Sequence, residues 1–301
     1  MKSLTTPGRW RLIGLLAAGA ALAVAIPSAF GAGSAAAKMK PQLQHQSRLV
    51  IAPSVLRHSA AMTKSLGSGT CAGGSIAPGT YSSLAISGFC TLDAGSVVVR
   101  HSLTVEPNGG LLAAFGGGPT LTVGGNIYVR ANGVLVLGCE PEAFVCFNDP
   151  DQQVGTLSSR GTVFGNLKAH NALAVLVHNT YVGNDLTLDG GGGGVNCDGQ
   201  DALFGSPAYA TFEDMSIGGT ATIKHFRSCW LGFFRNTVQH SVLFRDNTVA
   251  DPDGNEVQTN TVRGNLICRA DSPAAQEGDS GGSPNSVLGS ALGECAAIST
   301  S

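Results

Sequence analysis

Four groups of residues in this chain have the type and spacing to do chemistry. Gly278-Asp279-Ser280-Gly281-Gly282 spells a nucleophile motif, in which Asp-Ser-Gly sets a serine beside backbone amides that form an oxyanion hole. Such a serine needs a His and an Asp as partners. None of the seven histidines sits in the Ala-Ala-His-Cys context that accompanies the motif in serine proteases, and the nearest, Lys168-Ala169-His170-Asn171, lacks the Cys. The segment reads as a polar glycine loop, and no catalytic residue is assigned. Asp246, Asp251, Asp253 and Glu256 crowd into Asp-Asn-Thr-Val-Ala-Asp-Pro-Asp-Gly-Asn-Glu, where Asp251, Asp253 and Glu256 are candidate Ca2+ ligands around a Gly that permits a tight turn. The spacing is not that of an EF-hand, and a solvated acidic turn competes with this reading. No other cofactor is implied. Asp185 and Asp214 fall at equivalent positions in copies of a repeat, and carboxylates stacked about 5 Å apart would perturb each other's ionisation and act as an acid/base pair. That position otherwise holds Asn and Ser, so turn formation competes there. Trp230, Phe233 and Phe234 lie beside Cys229 in a chain only 6% aromatic and could stack on a sugar ring or plug an insert. Gly190 to Gly194 lacks the Lys and the helix of a phosphate cradle.

The elements that must position these residues are constrained by composition. With 42 Gly, 43% hydrophobic and 13% charged residues, a coiled coil and a disordered chain are both excluded. Glycine without a three-residue period excludes collagen, and no apolar run reaches the ~18 residues of a spanning helix. Lys2, Arg9 and Arg11 precede the apolar run Leu12 to Ile26, and Pro27-Ser28-Ala29-Phe30-Gly31 offers small residues for cleavage after Gly31. Residues 1–31 therefore read as a secretory signal peptide. The protein is expected to be secreted, extracellular or at the cell surface, with no stable membrane insertion after cleavage. Residues 32–68 form a basic flexible leader, with Lys38, Lys40, Arg48, Arg57 and Lys64, that could tether anionic wall polymer. From residue 65 on, ten Lys and Arg face twenty Asp and Glu, a balance that excludes nucleic acid as a partner.

All eight cysteines, Cys71, Cys90, Cys139, Cys146, Cys197, Cys229, Cys268 and Cys295, follow the leader, and an even count in an exported chain reads as four disulfides. Zinc is disfavoured because no Cys-x-x-Cys occurs. If each structural unit touches only its neighbours, nearest-neighbour pairing is favoured: Cys71 with Cys90, Cys139 with Cys146, Cys197 with Cys229, Cys268 with Cys295.

Such units are visible. An octad begins at Val98 (VVRHSLTV), Thr122, Thr162, Tyr181, Ala210, Thr237 and Thr261, with weaker copies from Gly79 and Ser286. Position 2 is Val99, Val123, Val163 and their equivalents; position 6 is Leu103, Ile127, Leu167 and equivalents. These should face inward. Position 5 (Ser102, Asn126, Asn166, Asp185, Asp214, Ser241, Asn265) is always a short polar residue that suits a corner between two short strands. A second apolar stretch often follows Asn-Gly or Asn-Ala, as in Asn108-Gly109, Asn132-Gly133 and Asn171-Ala172. A unit of strand, corner, strand, corner buries its inward residues only when stacked, and stacking aligns the position-5 residues into a hydrogen-bonding ladder. The expected fold is all-β, a right-handed parallel β-helix (solenoid) over residues 69–301 with disulfide-bearing loop inserts. A sandwich or barrel of hairpins is the alternative.

The V-x-G-N-L-x-V octads, the Cys-bearing inserts, Ala250-Asp251-Pro252-Asp253, and the ending Gly264-Asn265-Leu266-Ile267-Cys268 through Gly293-Glu294-Cys295 resemble a family of secreted actinobacterial right-handed β-helix proteins over residues 69–295. The rungs also resemble those of bactofilins, which are cytosolic and lack Cys. The resemblance implies fold and export, with no established activity. The expected role is that of a structural or binding protein of the bacterial cell surface, with a cell-wall polymer or polysaccharide as partner. The alternative is a carbohydrate-active enzyme, a polysaccharide lyase or glycoside hydrolase, on the same scaffold.

Overall fold

Strands too short to bury an apolar face alone must stack, and each octad contributes two of them. The computed structural model describes residues 65–113, 119–138, 161–198 and 207–300. These form a parallel β-helix. One rung runs Ser96–Val99, Leu103–Val105, Gly110–Ala113, and the next Thr120–Val123, Ile127–Val129, Val134–Leu137. The three strands of a rung enter three different sheets, of eleven, ten and eight strands, in which each strand pairs with its counterpart one rung away. The first described strand, Ser65–Leu66, already belongs to the first sheet.

The inward columns are those of the octad. Val99, Val123, Val163 and Val182 pair in register in the first sheet, and Leu103, Ile127, Leu167 and Leu186 in the second. All are buried. A fully buried side chain of this size contributes about 1.5–3 kcal/mol relative to an exposed one.

One octad is misplaced. Thr211 does not join the position-2 column: Tyr209–Glu213 is a third-sheet strand, and Ile217 is the partner of Val182 and Val238. The true repeat there begins at Ser216, with Ala221 and Ile223 facing inward. Any corner of the helix flanked by short apolar strands shows the same pattern, so the octad at Ala210 marks a third-to-first corner rather than a first-to-second one. Asp214 and Asp185 consequently sit on different corners and form no stacked carboxylate pair.

The corners hold the rungs together through side chains that accept backbone N–H groups from the next rung. At the first-to-second corner the N–H groups of Asn166, Asp185 and Thr220 donate to the side chains of Asn126, Asn166 and Asp185 at 2.7, 3.2 and 2.9 Å. Those of Asn265 and Ser290 donate to Ser241 and Asn265. A second ladder, buried, occupies the third-to-first corner. Asn236 N–H donates to Asn260 Oδ1 (2.9 Å) and Asn260 N–H to Asn285 Oδ1 (3.1 Å), while Asn260 Nδ2 donates to Phe233 O and Asn285 Oδ1, both at 2.8 Å. A third joins Phe226, Asn247, Asp271 and Glu294 at the second-to-third corner. The chain turns there through a left-handed residue in rung after rung, including Asn108, Asn132, Asn171, His225, Asp246 and Ala270, with φ between 52° and 63°. Asn bears that conformation at least cost, which explains the Asn-Gly signals.

Two predictions follow from the ladders. Asn260→Ala strands the Asn236 amide and the Phe233 carbonyl in a buried corner and should cost about 2–4 kcal/mol in chemical denaturation. Burial, with the Glu294 carboxylate beside it, pushes the Asp271 carboxyl up to about 7, although the hydrogen bonds from Asn247 favour its charge. A folded-state value raised above the ordinary 3.8 means the folded chain holds the proton more tightly, so this group's contribution to stability is fully present below 3.8 and is lost progressively as pH rises from there through about 7. Asp271→Asn keeps the Oδ1 acceptor and should flatten that fall between pH 5 and 8.5, read as the urea midpoint.

Candidate functional site

In the third sheet alternate residues point out of the helix. Phe212 and Phe233 pair in register with rings 6.5 Å apart inside the core, so Phe233 is not available to a ligand. Trp230 and Phe234, on the same strand Trp230–Phe234, lie on its outer side, but Phe234 is covered there and only 3% exposed, so of these three aromatics only Trp230 presents a surface to a ligand. Their rings are 5.5 Å apart, Tyr209 meets Trp230 edge-on at 6.2 Å, and the Arg235 guanidinium lies 5.9 Å over Phe234. Gly232 stands between them on the outer side. A Cβ there would collide with both rings, so only Gly lets them fold over the strand. Trp230 remains half-buried, and its Nε1 donates to Glu256 Oε1 at 3.1 Å.

Beside the aromatics is a network of charges. His178, Glu213 and Phe234 are register partners on consecutive strands, and Asp214 and Arg235 follow the last two at left-handed corners, with φ of 51° at each. His178 Nε2 is 2.6 Å from Asp214 Oδ2. Arg235 donates through Nε to Asp214 Oδ1 (3.0 Å) and through Nη2 to Glu213 Oε2 (2.7 Å), and Thr211 Oγ1 donates to Glu213 Oε1 at 2.5 Å. Burial opposes the charge of Asp214, but the hydrogen bonds and positive charge of His178 and Arg235 outweigh it and hold its carboxyl below the usual carboxylate range. His178, Glu213 and Asp214 present ligand atoms within 4.8 Å of one another. An imidazole and two carboxylates suit a divalent metal, yet the Arg235 guanidinium already bonds both carboxylates and supplies the cation. The arrangement is an ion-pair network.

The calcium candidates are not brought together. Asp251 Oδ1 accepts the Asp253 N–H at 3.1 Å and closes its own turn, whereas Glu256 is buried on the third sheet, its carboxylate engaged by Trp230 and by Gln258 Nε2 at 3.0 Å. Among the described residues the His178, Glu213 and Asp214 group is the one whose ligand atoms converge. The Gly278–Gly282 segment has a structural use. It lies over the outward side chains of Glu256 and Gln258, with which a Cβ on Gly278 or Gly282 would collide. Ser280 bonds the Glu256 carboxylate, which burial makes harder to ionise, raising it above the ordinary carboxylate range. Nothing here sets a His against Ser280. Cys71–Cys90, Cys197–Cys229 and Cys268–Cys295 are disulfides, as nearest-neighbour pairing requires. Cys139 and Cys146 lie outside the described residues.

No protein-family model matches this chain, and neither does any curated protein or solved structure. The class that fold and site define is a disulfide-bonded parallel β-helix with an aromatic and charged patch outside its third sheet. His178, Glu213 and Arg235 carry no sequence motif, because three different rungs deliver them. The buried ladder has one: Asn236-Thr237-Val238, Asn260-Thr261-Val262 and Asn285-Ser286-Val287 repeat Asn-Thr/Ser-Val ahead of the first-sheet strand.

Arg235→Met leaves two largely buried carboxylates without their cation. It should lower stability by about 3 kcal/mol near neutral pH, and the loss should shrink below about pH 3.8 as Asp214, held by His178 and Arg235 below that ordinary value, takes up its proton. Denaturation of both proteins at about pH 3 and about pH 7.5 measures this.

Proposed function

We propose that this is a secreted structural and binding protein of the bacterial cell surface, holding a polysaccharide against the outside of its third sheet. The observation that carries the reading is Trp230: a half-buried indole, fixed by its bond to Glu256 and by Tyr209 and Phe234, with the planar Arg235 guanidinium just past the end of the same strand. A rigid aromatic face beside polar forks is the chemistry that grips a sugar ring. Three disulfides suit an oxidising compartment, and the signal-like residues 1–31 supply the route. Binding is favoured over glycan cleavage because the carboxylates of the site are spent: Glu213 and Asp214 on Arg235, Glu256 on Trp230 and Gln258. Cleavage by paired carboxylates needs an acid and a base free to reach the glycosidic bond.

The chain has two Trp, Trp10 and Trp230. In a Trp10→Phe protein the emission of Trp230 should therefore report ligand directly. Screening a glycan array and then titrating each retained glycan should give a saturable shift in emission, and calorimetry at a temperature where Trp230→Ala is still folded should show that this variant has lost the binding. Retention of no glycan, or a retained glycan that leaves Trp230 emission unchanged, would refute the reading.

A further inference from the structure

Outside the third sheet, the strongest unassigned feature is a column of cations on the second. Lys224, Arg245 and Arg269 are register partners on the consecutive strands Ala221–Lys224, Val242–Arg245 and Leu266–Arg269. His170 and Asp189 precede them in the same column. Arg130 heads it, following Val129 as His170 follows Ala169, the partner of Val129. At about 4.8 Å per strand the column extends roughly 24 Å along the helix axis. Four of the ten Lys and Arg after residue 64 stand in it, on a body with twice as many acids.

The acids nearby cancel only part of it: Asp189 pairs with Lys224 Nζ at 3.0 Å and His225 Nδ1 at 2.9 Å, and Asp246 with Arg245 Nη1 at 3.1 Å, two carboxylates against the four Lys and Arg. Arg130 and Arg269 are exposed, and no carboxylate lies within ion-pair distance of either among the described residues. Like charges on directly opposed strand positions destabilise a sheet. The rung pattern does not demand them, since Glu106 holds the equivalent place one rung before Arg130. A second row runs beside the cations. Two residues earlier on each strand, about 7 Å away, the outer surface is Leu243 and Ile267, with Leu292 next in register and 46% exposed.

We propose that this face binds an anionic polysaccharide, one anionic group per sugar, lying across the rungs. Pyranose C–H faces would rest on Leu243, Ile267 and Leu292, and carboxylates would meet Lys224, Arg245 and Arg269, whose guanidinium forks match them. A single-stranded nucleic acid would need aromatic platforms for its bases. The aromatic residue facing out of this sheet is Tyr128, at the far end and under the Arg130 guanidinium at 5.3 Å. The site is separate from the Trp230 patch, and its test is independent of it.

The test titrates the full chain with polygalacturonate, a neutral glucan and polyphosphate by calorimetry at low salt. Polygalacturonate should bind, weaken as salt is added, and exceed both other polymers. Arg245→Gln/Arg269→Gln should weaken it at least about tenfold through the loss of two charge-assisted contacts. Arg263→Gln, which removes the same charge from the preceding corner, should change it by less than about twofold. Leu292→Ser should weaken polygalacturonate but not polyphosphate. The double variant relieves like-charge stacking but also loses the exposed Arg245–Asp246 pair, worth under about 1 kcal/mol, so its melting temperature should stay within a few degrees of the parent and, read beside each titration, separates lost binding from lost folding. Trp230→Ala should leave polygalacturonate binding intact. The proposal is overturned if polygalacturonate fails to bind, if polyphosphate binds as tightly, if Arg263→Gln costs as much as the double variant, or if Trp230→Ala abolishes binding that the double variant retains.

Discussion

Everything in this protein rests on how its corners satisfy the backbone. A rung must turn at each passage between sheets, and at every turn an amide points where no strand can accept it. A buried amide without a partner costs about 1–3 kcal/mol, so a stack of unsatisfied corners would exceed a domain's whole stability. The remedy is to let each corner side chain serve the rung beside it. Asn126, Asn166 and Asp185 do so at one edge, Asn260 and Asn285 at another. Because the acceptors of these ladders belong to the neighbouring rung, a rung on its own leaves corner amides unsatisfied, and the fold exists only as a stack.

That dependence positions both candidate surfaces. In-register parallel stacking repeats any outward side chain at the spacing of the strands, so a surface here is built by columns rather than by loops. Asp214 reaches His178 and Arg235 because three rungs offer them at adjacent heights. The same arithmetic stacks Lys224, Arg245 and Arg269. Arg235 and Thr259 take left-handed backbone at the third-to-first corner, φ 51° and 59°, a conformation unusual for such residues. The buried Asn ladder directly after them holds that turn in place.

Much of the fold was legible before any coordinates, and the limits of that reading have physical causes. Position-2 and position-6 residues could be recognised because their burial repeats with a fixed offset. Cysteine pairing followed from neighbour-only contact. The misplaced octad at Ala210 shows where periodicity loses its hold: three kinds of corner share one apolar, polar, apolar signature, and only pairing tells them apart. Strand alternation separates Phe233, inside, from Trp230 and Phe234, outside, once the strand is known. Nearness in sequence misled for Asp251, Asp253 and Glu256, since a corner between the aspartates and Glu256 sends them to different surroundings. The charge network spans 58 residues from His178 to Arg235, and no local motif could announce it.

The three disulfides among the described residues are spread along the stack, with sequence separations of 19, 32 and 27 residues. A protein whose rungs hold only their neighbours yields to traction by peeling, one rung after another, from whichever end is pulled. Each bridge then withholds the chain it encloses. At roughly 3.4 Å per extended residue the three loops retain about 65, 110 and 90 Å of contour. A molecule anchored by one end and loaded at the other would thus lengthen in steps and stop short of its full extension, so under tension the bridges act as limits on travel.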